Sequence, residues 1–268
     1  MDHNFHLVTS PHLQNAIHSI WQTDGATTYK EEAILPKGIV EIIFDLGSSN
    51  PIHAIINDDK KQLSKYFING FNTTSINIQL PAHQAFLGVR LHPAAVKNVT
   101  DVPAKEFVNA NIDLMLIKPM FNTLWHQLLH CKTFSQRVTL ITDVFSASLI
   151  ELTPREKLLN NFLSDHNSFI PSVKELAKAL CYTPRHLSRK VYDITGMNTE
   201  EVLLYKKYLH AISLIHTTDF SLTQIAYSSR FSDQSHFIKT FKAFSQITPG
   251  QYVINKSHLP GHLYKHVR

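Results

Sequence analysis

Apolar and polar positions alternate in GIVEIIFDLG (38–47) with a period of two. Ile39, Glu41 and Ile43 fall on one face and Val40, Ile42 and Phe44 on the other, which predicts a β-strand. Trp21 lies in a second strand-like run, SIWQTDG. Tyr66–Phe71, Ser75–Leu80 and Ala85–Leu91 are further strands, separated by Gly, Asn and Pro. Several short strands with turn signals between them predict a β-sandwich or barrel, not βαβ units. The period then lengthens. Over 111–149, Leu114, Phe121, Trp125 and Leu128 (or Leu129) can share one side of a Pro-interrupted helix. Val138, Ile141, Val144 and Phe145 do the same in a second.

From 153 onward, helix starts are written in capping residues. Thr153-Pro-Arg-Glu156 supplies an N-cap, a proline at N1 and an acceptor at N3. Ser172-Val-Lys-Glu175, Asn198-Thr-Glu-Glu201 and Ser221-Leu-Thr-Gln224 repeat the pattern, and Thr183-Pro184, Ser232 and Thr248-Pro249 add three more starts. The expectation is seven helices, at 153–164, 172–180, 184–194, 199–215, 222–229, 233–244 and 249–255. Two pairs among them have helix-turn-helix lengths. In the first, Val173, Leu176, Ala177 and Leu180 face Leu187 and Val191 across the turn Cys181-Tyr182. In the second, Leu222, Ile225 and Ala226 face Phe237, Phe241 and Phe244 across Ser228–Phe231. The 17-residue helix predicted between them is about 26 Å long. Such a rod can carry two recognition helices toward adjacent major grooves.

Charge sharpens this picture. The chain has 26 Lys+Arg against 21 Asp+Glu, and the excess is uneven. Residues 1–152 hold 11 basic against 13 acidic side chains, whereas 153–256 hold 13 against 8, as a half that binds a polyanion requires. No run approaches ~18 apolar residues, so no membrane span is expected. The first residues lack a charged region followed by an apolar one, so no secretory signal is expected. Two cysteines, Cys131 and Cys181, form neither a disulfide framework nor a CxxC, which fits a cytoplasmic setting.

With the apolar anchors inward, Arg185, Ser188 and Arg189 project from the first recognition helix. Gln234, Ser235, Ile238 and Lys239 project from the second. Arg reads guanine O6/N7, Gln reads adenine N6/N7, and Ile touches a thymine methyl, so these seven are the base-contact candidates. Lys178, Lys190, Lys206, Lys207, Arg230 and Lys242 are the phosphate-contact candidates. Each residue taken alone is equally well a solvated helix face.

TPRHLSRKVYDITGMNTEEVLLYKKYLHAISLI (183–215) and SLTQIAYSSRFSDQSHFIKTFKAFSQITPGQY (221–252) together resemble the AraC/XylS family of bacterial transcription regulators. The matching motifs are P-R-x-L-S-R, the T-G after the first recognition helix, I-A, F-S-D-Q-S-H-F, F-K and T-P-x-x-Y. The resemblance implies two helix-turn-helix units joined by a linker helix and bound to double-stranded promoter DNA. The broad apolar stripe of the helices at 111–149 makes them the candidate interface of a homodimer, and RNA polymerase is the expected partner if the protein activates. The family has glycine where Arg230 and Ser245 stand, arginine at Lys207, and leucine and phenylalanine at Lys190 and Val191. A non-glycine residue at positive φ at 230 would cost on the order of 1 kcal/mol.

Trp21, LPKGIVEIIFDLG and GVRLHPAAV resemble a β-rich, cupin-like domain of some AraC-type regulators, which implies a sensor fold and a small-molecule effector. Glu41 and Arg90 are the effector-pocket candidates, with a plain ion pair as the alternative. No H-x-H occurs among the 17 histidines, His126 and His130 lack a third placed ligand, and neither metal nor cofactor is expected. The fold expected is α+β and multidomain: an N-terminal β-barrel or sandwich with helices, then an all-α double helix-turn-helix domain. The domains expected are a β-rich sensor (1–110), a helical dimerisation or linker segment (111–150), a DNA-binding domain (151–256) and a mobile tail (257–268). An enzyme of DNA-repair type with an appended DNA-binding module would need an activated cysteine, and neither Cys131 nor Cys181 has such a setting. An interaction module that no longer binds DNA is the other alternative.

Overall fold

The structure, a computed structural model, describes residues 2–47, 51–56, 59–147, 152–165 and 172–266. Nine strands come first: β1 (Asp2–Leu7), β2 (Ile17–Ala26), β3 (Tyr29–Ile34), β4 (Val40–Asp45), β5 (Ile52–Ile56), β6 (Asp59–Leu63), β7 (Tyr66–Asn69), β8 (Ile76–Gln79) and β9 (His83–Leu91). Helix α1 (Val96–Thr100), a 3-10 turn at Ala104–Phe107 and strand β10 (Asn111–Asp113) lead to α2 (Met120–His130) and α3 (Phe134–Ser146). The remaining helices are α4 (Pro154–Ser164), α5 (Val173–Ala179), α6 (Pro184–Thr195), α7 (Thr199–Thr217), α8 (Leu222–Ser228), α9 (Gln234–Ser245) and α10 (Pro249–Asn255). A last strand, β11 (His262–His266), follows.

The strands form two antiparallel sheets, ordered β1-β2-β9-β4-β7-β10 and β11-β3-β8-β5-β6. They are open sheets of a sandwich, so the closed-barrel alternative does not hold. Alternation along β4 gives the layering. Ile43, with Phe67 and Phe86 of the same sheet, meets Ile52, Ala54, Ile56 and Ile76 of the other sheet. Val40, Ile42 and Phe44 face the opposite way, into the core shared with the helices. Gly88 is required where it stands. It pairs with Trp21 across β2 and β9, and a Cβ there would lie 2.1 Å from the indole.

Helices α2 and α3 pack their apolar stripe inward. Phe121, Leu124, Leu128, Ile141 and Phe145 are all buried, and Leu129 is the exposed member of the Leu128/Leu129 choice. Trp125 Nε1 donates to the Asp45 carbonyl at 2.8 Å, and Arg137 Nη1 donates to Gln22 Oε1 at 2.7 Å. The stripe that the sequence offered to a dimer partner is therefore spent on the chain's own sheet. The expected boundary at 150/151 lies outside the described residues.

A second correction concerns the segment read as a mobile tail. His262–His266 pair antiparallel with β3, in the register His262↔Ile34 through Lys265↔Glu31. Pro260 and Gly261 do rule out a helix here, but they end in a strand, with Gly261 at φ 78°.

Candidate nucleic-acid interface

Local capping fixes where each helix of the C-terminal half starts. Thr153, Ser172, Asn198, Ser221 and Thr248 each accept from the N3 amide while the N3 Glu or Gln side chain caps in return. Each such box satisfies two amides that would otherwise lack partners. Thr183, followed by Pro184 at N1, and Asp233 cap α6 and α9.

The pairs α5–α6 and α8–α9 are one unit built twice. Ser172, Ala177 and Cys181 recur 49 residues on as Ser221, Ala226 and Arg230. From the recognition helices onward the spacing is 50, so Leu187, Val191 and Thr195 recur as Phe237, Phe241 and Ser245. Both turns are left-handed at the same place, with φ 55° at Cys181 and 60° at Arg230. Beyond them, the Tyr182 amide donates to the Ala177 carbonyl at 2.9 Å and the Phe231 amide to the Ala226 carbonyl at 3.0 Å. This is the Schellman closure of a helix, a geometry that favours glycine. The positive φ expected at Arg230 is thus present, and the first unit shares it. Both recognition helices end alike too. Thr195 and Ser245 turn their hydroxyls back onto the carbonyls of Val191 and Phe241, at 2.9 and 2.7 Å. The left-handed residues that follow are Gly196 (φ 70°) and Gln246 (φ 64°). The glycine-favouring position is therefore Gln246, one residue beyond the expected Ser245.

Leu187, Val191, Phe237 and Phe241 are buried, as the anchoring faces require. On the opposite faces Arg185, Arg189, Gln234, Ser235 and Lys239 are exposed, while Ser188 and Ile238 are half-buried. Gln234 Oε1 accepts from Thr223 Oγ1 at 3.2 Å, which orients its amide. Among the cations, Lys178, Arg230 and Lys242 are exposed. Lys190 lies 3.4 Å from Glu156, and Lys207 Nζ donates to the Arg230 carbonyl at 2.8 Å, bracing the second turn.

Lys206 is a correction. Its side chain is buried, and Nζ donates to the carbonyls of Phe162 and, at 2.5 Å, Asp165 at the end of α4. Burial pushes its pKa down to about 8, against the pull of Asp165. Lys206 ties α7 to α4 and does not face a phosphate. The sequence missed this because the two carbonyls that hold it lie about forty residues upstream.

The sequence also missed the contacts that moor this half to the sandwich. Tyr205 on α7 is fully buried; its hydroxyl donates to the Asn72 carbonyl at 3.0 Å and accepts from the Gly38 amide at 2.9 Å. Ser75 Oγ donates to the Ser245 carbonyl at 2.8 Å, at the end of α9. Lys105 Nζ lies 3.1 Å from Asp193 and 5.4 Å from the Tyr192 ring centre, at the end of α6. Both recognition helices are thus held from behind at their C-terminal ends. Aligning the two units against each other would have exposed Thr195 and Ser245. No local signal points to Ser75 or Lys105.

Glu41 and Arg90 are cross-strand partners on β4 and β9, with Arg90 Nε donating to Glu41 Oε1 at 2.8 Å. Trp21 Nε1 donates to the same oxygen at 3.1 Å, and Lys37 Nζ to Oε2 at 3.4 Å. Burial would raise this carboxyl's pKa, yet Lys37 and then Arg90 bring it down to about 2. The carboxylate already accepts from three protein donors. His130 Nδ1 bonds the His126 carbonyl at 2.7 Å, and among the described residues no three His, Cys, Asp or Glu side chains converge as a metal site would need.

Residues 176–254 match the helix-turn-helix domain family, and residues 6–113 match a family described as a domain of unknown function (DUF6597). The HTH-type transcriptional activator AarP of Providencia stuartii is 32% identical over 81 residues, which are 30% of this chain and 60% of that protein. An uncharacterized HTH-type transcriptional regulator of Staphylococcus aureus is 33% identical over 81 residues, 30% of this chain and 11% of that one. The chain therefore spans about a tenth of the staphylococcal relative's length. The structure of ToxT from Vibrio cholerae aligns with 88% of this chain and 98% of that chain, at 13% identity and a TM-score of 0.48. No helix among the described residues is long and apolar enough to cross a membrane.

Proposed function

We propose that this chain, whose residues 176–254 form a helix-turn-helix domain of the AraC type, is a sequence-specific DNA-binding transcription regulator. The observation that carries the reading is the duplicated unit. Two recognition helices on one linker helix keep their outward faces exposed while the sandwich holds them from behind. In this reading Arg185, Ser188 and Arg189 read one major groove, and Gln234, Ser235, Ile238 and Lys239 read the next. Lys178, Lys190, Lys207, Arg230 and Lys242 position the duplex on its phosphates, Lys190 by leaving Glu156.

The boundaries we assign are 1–110 for a β-rich sensor, 111–150 for a helical linker, and 151–256 for the DNA-binding domain. Residues 257–266 join the sensor sheet. AarP is named an activator, and activation through RNA polymerase is the direction proposed here. The remaining assignments are a cytoplasmic homodimer, no catalytic role, and a small-molecule effector in the sandwich. An effector at Glu41 and Arg90 would have to replace donors the protein already supplies.

A salt series with promoter fragments from its own and neighbouring genes tests the reading. Binding through several phosphates predicts log K falling linearly and steeply with log salt, with one fragment held well above random duplex. Equal affinity for every fragment would overturn sequence specificity.

A further inference from the structure

The segment after α10 belongs to the helix-turn-helix half in sequence and to the sandwich in space. It leaves α10 through Lys256, whose Nζ donates to the Ile215 carbonyl of α7 at 2.6 Å. At the turn, the Gly261 amide donates to the Tyr252 hydroxyl of α10 at 2.8 Å. That hydroxyl also lies 2.7 Å from His216 Nε2 on α7. The Gly261 carbonyl in turn accepts from the Leu35 amide at 2.8 Å, and β11 continues down the edge of β3. Tyr264 stacks on Tyr29 with ring centres 4.6 Å apart, and Lys265 lies 3.0 Å from Glu31. A short run of chain thus fastens the second helix-turn-helix unit and the end of α7 to the sensor sheet.

Its inner anchor is His262, whose side chain is 15% exposed. Glu32 on β3 lies 2.5 Å from Nδ1, and Lys37 Nζ, from the loop after β3, lies 3.2 Å from Nε2. Glu41 on β4 faces the same cluster, with Arg90 of β9 behind it, and Tyr264 stands beside His262 on its own strand. An ammonium can only donate, so the nitrogen facing Lys37 must offer its lone pair. The proton then sits on Nδ1, aimed at Glu32. The ring fits as a neutral donor–acceptor, and a second proton would point straight at a cation. Burial first and Lys37 next hold its pKa below the ordinary histidine value, while burial and then His262 act in opposite senses on Glu32, whose pKa ends up lowered. Both groups work in one direction. A depressed histidine favours the closed arrangement above about pH 6.5 and loses that contribution as pH falls, and a depressed carboxyl does the same lower down.

We propose that residues 256–266 are a releasable strap that locks the second helix-turn-helix unit to the β-rich domain, and that protonation of His262 opens it. Opening would free α10 and leave the α8–α9 pair tied to the β-rich domain through Ser75 at the end of α9, while α5–α6 keeps Lys105 and α7 keeps Tyr205. The spacing of the two recognition helices would then be held less firmly.

Amide hydrogen exchange on the full chain between pH 8 and 5.5, corrected for intrinsic rates, tests this without DNA. It therefore stands apart from the regulator reading. Protection of Leu263–Lys265 should fall by up to about tenfold per pH unit below 6.5, the limit for one coupled proton. Protection of α10 should fall with it, and more than that of α5–α6. His262→Gln keeps an amide donor toward Glu32 and an acceptor toward Lys37 but cannot titrate, so its strap should stay protected throughout. Lys37→Met removes the opposing cation and should move release to lower pH. A wild-type strap whose protection ignores pH would overturn the proposal. So would equal acid loss in His262→Gln, or release that loosens α10 and α5–α6 alike.

Discussion

In the first helix-turn-helix unit α6 is anchored by Leu187 and Val191, whereas in the second α9 is anchored by Phe237 and Phe241. Those phenylalanines extend a run of rings. Phe231 lies 5.2 Å from Phe237, Phe237 lies 5.8 Å from Phe241, and Phe241 lies 5.7 Å from Tyr252. The backbone around them is nearly the same in both units, from the serine caps to the left-handed turns and the hydroxyls that close each recognition helix. Polar local rules therefore set the shape of the motif, and the apolar filling is free to differ. The outward faces differ as well. Arg185 and Arg189 give the first unit two guanidiniums where the second has Ser235 and Lys239. The two units hold one geometry and offer different chemistry to a duplex.

The largest expected break in this symmetry is Phe241→Ala. It removes a fully buried ring that touches Tyr208 and Tyr252, and should cost about 3–5 kcal/mol in chemical denaturation. Val191→Ala, its counterpart, should cost less because it deletes fewer buried atoms. Next come Arg189→Ala and Lys239→Ala, equivalent positions in the two units. If each reads a base, each should lose about 1–3 kcal/mol of affinity and relax preference at its own few base pairs. Selection from a randomised duplex would show two separate windows. A uniform loss across all sequences would make either residue a phosphate contact instead.

The contact between α4 and the β-rich half should be acid-sensitive. His92, with Nδ1 3.0 Å from Ser164 Oγ of α4, is pushed down to about 4 by burial and then by His18. It is neutral in the fold and takes a proton near 6.5 when unfolded, so stability is full above that value and drains as pH falls toward 4. Denaturation midpoints at pH 8 and pH 5 should differ by on the order of 2 kcal/mol from this group, and His92→Gln should flatten the difference. The smallest effect is expected at the turns. Arg230→Gly and Cys181→Gly each relieve a left-handed non-glycine residue, and each should raise the melting temperature by the equivalent of about 1 kcal/mol or less. If Arg230→Gly also weakens DNA binding, its side chain contributes a phosphate contact.

The helical half was legible because its signals are local. A capping box spans four residues, so Thr153–Glu156 or Ser221–Gln224 can be read without knowing the fold, and the predicted helix ends agree with the structure to within two residues. In the β half, strands with strong alternation such as β4 and β9 were legible. The edge strands β1 and β6, and the interior strand β3, were not, because one face or both meets solvent and the apolar period fades. β11 was illegible for a different reason. Its partner β3 lies more than two hundred residues away, and nothing between Pro260 and His266 alternates strongly enough to announce a strand. Lys206 shows the same limit at a site. Its charge marks it as a surface residue until α4 brings two carbonyls to it.

Helix α7 has one more consequence. Its 19 residues make a rod about 28 Å long, several ångströms short of the ~34 Å repeat of straight B-DNA. Tyr205, Tyr208 and Lys206 bury it on two sides, so the rod cannot stretch. If the two recognition helices are spaced no wider than this rod is long and both enter adjacent grooves, the duplex must do the yielding, by curving toward the protein. Base pairs that no side chain touches would then carry sequence preference through their stiffness. Flexible pyrimidine–purine steps between the two half-sites should be favoured over rigid A-tracts.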